Sequence, residues 1–79
     1  MDKAVIAFLK LNGFQRMETN SYANDRCNVV YEDGYFIVAD GEGNTMYSRD
    51  ENIYWLIGVL TYYGFIDKNY QQTKDNAKP

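Results

Sequence analysis

The chain has 79 residues, which is enough for one domain and too few for two. Its net charge is −3, and its eight basic residues are scattered singly, so the clustered lysine and arginine that neutralise duplex phosphates are missing. The single cysteine, Cys27, excludes an internal disulfide, and the absence of histidine removes the commonest general base and metal ligand.

Apolar residues make up 46% of the chain, too many for wholesale disorder. The first ten residues lack the basic start and small-residue cleavage site of a signal peptide. The longest apolar run, Ile53 to Leu60, is too short to span a bilayer. A cytoplasmic protein without membrane contact is therefore the expectation.

A short helix is predicted first. Asp2 can cap it by accepting amide protons of the first turn. Val5, Phe8 and Leu9 share one side, Lys3 and Lys10 lie opposite, and Gly13 supplies the stop. Residues 14–18 alternate apolar and polar, with a phase slip at Arg16, and read as a first strand. Residues 19–26, polar and rich in Asn and Ser, read as a loop.

Residues 27–32 and 35–40 are both rich in β-branched and aromatic side chains, with Asp33-Gly34 between them. That dipeptide favours a two-residue type I′ turn, which sets Glu32 opposite Tyr35, Tyr31 opposite Phe36, Val30 opposite Ile37 and Val29 opposite Val38. One face then carries Val29, Tyr31, Phe36 and Val38, and the other Val30, Tyr35, Ile37 and Ala39. Both are apolar, so the hairpin should be central in its sheet or covered on both sides. Residues 41–44 form a second turn, and Thr45 to Tyr47 return as a strand.

Ser48-Arg49-Asp50-Glu51 matches a capping box, predicting a helix from about Arg49 to Tyr63, ended by Gly64. Phe65 and Ile66 are expected to pack back against it. The fold class is thus α+β: an antiparallel meander of three to four strands flanked by an N-terminal and a C-terminal helix, in the order α-β-β-β-β-α. Residues 1–66 form the domain, and 67–79 a polar, disordered tail.

The second helix has too many apolar sides. Ile53, Leu56, Ile57, Leu60 and Tyr63 make an ordinary core stripe, but the opposite side carries Tyr54, Trp55, Gly58, Val59 and Tyr62 in place of charges. A small domain can hardly bury both sides of a terminal helix, and exposed apolar patches mark contact sites. These five residues are the candidate interface, for a symmetric homodimer or another protein. The competing reading places them inside the monomer with polar tips at the rim.

Candidate chemistry is weaker. Cys27 begins a strand without an activating base and reads as a buried structural thiol. Asp40, Glu42, Asn44, the Met46 carbonyl, Ser48 and Glu51 match the ligand offsets of a calcium-binding EF-hand loop, making calcium or small-ligand binding an alternative. Thr45 stands where that loop needs glycine, and a strand precedes it where a helix should. Tyr31, Tyr35, Phe36 and Tyr47 could stack the bases of a single-stranded nucleic acid, a second alternative that wants a basic groove. The acidic pairs Glu32-Asp33 and Asp50-Glu51 have turn and helix-start roles, and no cofactor motif is present, so an enzyme is the least expected class.

The stretch from Tyr47 to Ile66 resembles small proteins encoded on bacterial prophages and conjugative elements. The resemblance covers about a quarter of the chain. It implies no activity and carries over no functional residue, but suggests an accessory or regulatory protein that works by binding.

Overall fold

The computed structural model describes residues 1–70. Helix α1 (Lys3–Leu11) is followed by strands β1 (Gln15–Glu18), β2 (Ser21–Ala23), β3 (Cys27–Glu32), β4 (Tyr35–Asp40) and β5 (Thr45–Tyr47), and then by helix α2 (Ile53–Tyr62). The strands form one antiparallel sheet in chain order, β1-β2-β3-β4-β5. The fold is the expected α+β meander between two helices, with five strands instead of three or four. Among the described residues, no helix is long and apolar enough to cross a membrane.

The additional strand is β2, which lies inside the stretch read as a loop. Tyr22 is the reason: it is 4% exposed, paired with Val29, and anchors an otherwise polar segment in the core. Thr19 and Asn20 make the two-residue turn before it, with Asn20 at φ 65°, a left-handed conformation that Asn tolerates better than most side chains. Strand β1 exists, and the phase slip at Arg16 corresponds to an irregularity in register between Arg16 and Glu18.

The β3–β4 register follows the turn as expected, from Glu32 opposite Tyr35 to Cys27 opposite Asp40. Asp33 and Gly34 both have positive φ, 50° and 88°, as a type I′ turn requires. Across the sheet Tyr22, Val29, Val38 and Met46 align in one row, and these residues join Val5, Phe8 and Leu9 of α1 and Leu56 and Leu60 of α2 in a single hydrophobic cluster. Both helices therefore lie on the same side of the sheet. Val30, Tyr35, Ile37 and Ala39 point the other way and lie outside that cluster.

The two helices end alike. Gly13 and Gly64 adopt φ of 91° and 74°. In α1 the Gly13 and Phe14 amides donate to the Lys10 and Leu9 carbonyls, and in α2 the Gly64 and Phe65 amides donate to those of Thr61 and Leu60. This double closure with a left-handed glycine is the Schellman arrangement. It turns Phe14 and Ile66 into the core, at 3% and 5% exposure, with Phe65 packed against it. Tyr70 meets Phe8 edge-on at 5.7 Å, so the chain from Asp67 to Tyr70 returns to α1. The rest of the tail expected over 67–79 lies outside the described residues.

Candidate association surface on the second helix

Helix α2 starts later than the sequence suggests. Its N-cap is Asn52, whose side chain accepts the Tyr54 amide at 2.8 Å. Ser48 cannot cap because its hydroxyl is already used. It accepts the Phe36 amide at 2.7 Å and donates to the Asp50 carbonyl at 2.6 Å, while the Ser48 amide donates to the Phe36 carbonyl. The serine thus extends the β4–β5 ladder by one rung, and the chain needs Arg49 to Asn52 to turn into the helix.

From that start the helix sets Leu56 and Leu60 fully into the core, with Ile53 and Ile57 packed beside them. At about 100° per residue, Gly58 falls diametrically opposite the Leu56–Leu60 direction. Tyr54 and Tyr62 stand one turn before and after it, at 77% and 81% exposure. Trp55 and Val59 are half-buried on one flank and touch the core cluster. The five candidate residues therefore divide into an outward line of Tyr54, Gly58 and Tyr62 and a flank of Trp55 and Val59. Tyr63, expected in the core stripe, is instead the C-cap and 53% exposed, because the helix ends before it. Its ring continues the outward line: it meets Tyr62 edge-on at 4.8 Å and stacks on Phe65 at 5.8 Å.

Among the described residues, nothing calls for glycine at position 58. A methyl group there would meet no atom of the described residues within 4 Å, and the residue is not among those with positive φ. Glycine in a helix interior costs about 1 kcal/mol relative to alanine. The Thr61 hydroxyl donates to the Ile57 and Gly58 carbonyls at 2.8 and 3.1 Å, so the other flank turns its polar group back onto the helix. No charged residue occurs between Asn52 and Gly64. The surface is aromatic, uncharged and notched at its centre.

The calcium candidates are not assembled as a loop of ligands. Asp40 accepts the Glu42 and Asn44 amides at 2.8 and 3.0 Å and the Asn44 side-chain amide at 2.9 Å. The Asn44 side chain, then the two backbone amides, hold its carboxyl below the usual carboxylate range. Asp40 and Asn44 thus close the β4–β5 turn between themselves. Ser48 is buried in its strand tie. Glu51 lies beside Tyr31, whose hydroxyl pKa is raised by desolvation, by donating to Glu51, and by the charges of Glu51 and Asp33. Among the described residues, no three acidic, cysteine or histidine side chains gather in a metal-holding group.

The four sheet aromatics also separate. Phe36 is fully buried and Tyr31 packs against the core beside it, their rings edge-on at 5.9 Å. Tyr35 and Tyr47 are on the outer face, 6.3 Å apart. Cys27 is 4% exposed, and burial, then the Asp40 charge, push its thiol up to about 12. A thiol so placed stays protonated at neutral pH and is no nucleophile.

The sequence reading missed the clamp at the other end of α2. Arg26 donates to the Gly64 carbonyl at 2.7 Å and Asn24 to the Phe65 carbonyl at 3.0 Å, so the β2–β3 loop satisfies the chain where the helix ends. Beside it runs an open groove of about 580 Å³, walled by Tyr63, Phe65, Asp25, Asp40 and Glu42. Contacts to residues 41 and 38 positions away leave no local trace in the sequence. No protein-family model, curated protein or solved structure matches the chain.

Proposed function

We propose that this chain is a non-enzymatic protein-interaction module that pairs with a second copy of itself through the outward face of α2. The observation that carries the reading is Gly58, a helix-interior glycine with open space over it, framed by two nearly fully exposed tyrosines. Close approach of another helix backbone is the use for such a notch, and tyrosine is favoured as an interface anchor because it combines large apolar area with a polar tip. An uncharged face can meet its own copy about a two-fold axis without like-charge repulsion. An accessory or regulatory role on a mobile element is supported by the resemblance of residues 47–66 alone.

Gly58→Ala tests the reading with two opposed effects. The methyl group meets nothing among the described residues, so the isolated fold should gain up to about 1 kcal/mol in denaturant unfolding at low concentration. The same methyl group fills the notch, so self-association measured by sedimentation should weaken by about tenfold, equivalent to about 1.4 kcal/mol. A variant more stable as a monomer and equally associated would show that the notch is not where copies meet.

A further inference from the structure

The outer face of the sheet is a second surface, separate from the association face of α2. Antiparallel sheets with one covered face normally alternate apolar-in with polar-out. This sheet departs from that rule in the middle of β3, β4 and β5, while Gln15, Ser21, Asn28 and Thr45 keep other outward positions polar. Val30 and Ile37 are cross-strand partners on the outer face, with Tyr47 beside Ile37, and Tyr35 and Ala39 lie on the same side. Both helices bury their residues on the opposite side, and none of these five belongs to or packs against the hydrophobic cluster there. The middle of the sheet thus offers water an apolar patch ringed by polar positions.

Charge selects the occupant. Glu18 is in register with Ser21, which is in register with Val30, and Glu32 is in register with Tyr35, so both glutamates stand at outward positions around the apolar centre. Among the described residues, no lysine or arginine holds an outward position on the strands: Arg16 aligns with the inward Tyr22, and Arg26 reaches from a loop to the Gly64 carbonyl. A second copy laid face to face would bring four carboxylates together with no positive partner on either strand set. Residues 71–79 contain no large apolar side chain.

We infer that the outer sheet face docks an amphipathic segment of a partner protein, one whose apolar ridge is flanked by lysine or arginine. The ridge lies along Val30, Ile37 and Tyr47, and the basic flanks pair with Glu18 and Glu32. Exposed ion pairs of this kind are worth about 0.2–1 kcal/mol each and act mainly on selectivity, while apolar contact supplies the rest.

The test uses isotope-labelled protein and a designed amphipathic peptide of leucine and lysine as the probe, with a leucine–glutamate peptide of the same apolar pattern as control. The lysine peptide should move amides of β2, Val30, Ile37 and Tyr47, leaving those of α2 in place. The doubly substituted Glu18→Gln/Glu32→Gln variant, altered only at exposed side chains, should bind about three- to tenfold more weakly and lose most of its salt dependence. Tyr47→Ser, at a position 62% exposed, should weaken binding without unfolding the sheet. The inference is overturned if the shifts fall elsewhere, or if the glutamate peptide binds as well. It is also overturned if the outer-face amides shift with protein concentration in the absence of peptide, since a second copy would then be the occupant.

Discussion

Cys27 and Ser48 show how much a single polar side chain can carry in so small a core. The Cys27 thiol is held up to about 12 in the folded chain against an ordinary 9.0. Below about pH 9 both folded and unfolded chains keep this proton, and the native contribution is complete. Between about 9 and 12 the unfolded chain releases the proton and the folded chain retains it, so stability falls as the pH rises through that window. Cys27→Ala should therefore show a shallower alkaline loss of stability than the wild type in denaturant titrations at stepped pH. In the wild type, iodoacetamide should modify Cys27 no faster than the fold opens, and rapid modification of the native protein would show that the thiol is accessible. The sequence indicated a buried cysteine correctly, since a thiol opening an apolar strand without a base has no means of activation. It could not show that Asp40, across the strand pair, would add to the shift.

At the scale of elements, the local signals were the readable ones. Asp2 caps α1, Asp33-Gly34 sets the hairpin register, and Gly13 and Gly64 stop the helices, each because a backbone conformation or an amide demands that residue type nearby. The expectations that needed correction were those in which a long-range contact took over a local motif. Ser48 matches a capping box, yet its hydroxyl is claimed by the Phe36 amide twelve residues away, and Asn52 caps instead. Tyr22 sits in a polar stretch, yet its burial on the core makes that stretch a strand. Ser48→Ala tests the first correction. It leaves the Phe36 amide without its hydroxyl partner beside a fully buried ring, and should cost about 1–3 kcal/mol in urea unfolding. If the serine were merely a helix cap, Asn52→Ala would have no comparable cost of its own, because Asn52 would then cap nothing.

The whole molecule has two layers, and its two open surfaces face away from each other. Among the described residues, the outward face of α2 carries no charge, and the outward strand positions carry glutamate alone among charged groups. A pair formed through α2 would leave both sheets outward, each presenting the same acidic-rimmed apolar surface. A domain of this size buries little of its surface, about 60–65% of what the unfolded chain exposes, so pairing would also add stability that the single chain is short of. The candidate site was legible because an amphipathic helix ought to show charge on its outer side, and α2 shows Tyr54, Gly58 and Tyr62. What was not legible was the division of the patch, since the half-burial of Trp55 and Val59 depends on how α2 is rotated over the sheet. That division decides the best probe: Tyr54 and Tyr62 can be changed with little risk to the core, and Trp55 cannot.

The most direct measurement is molar mass by light scattering over a wide concentration range, for the wild type and for Tyr54→Lys/Tyr62→Lys. The wild type should rise to the mass of two chains, and the variant should remain a single folded chain, because the two lysines put charge on both sides of the notch in each copy. A wild type that keeps the mass of one chain throughout, or a variant that still pairs, would contradict the assignment of α2 as the surface through which this protein associates.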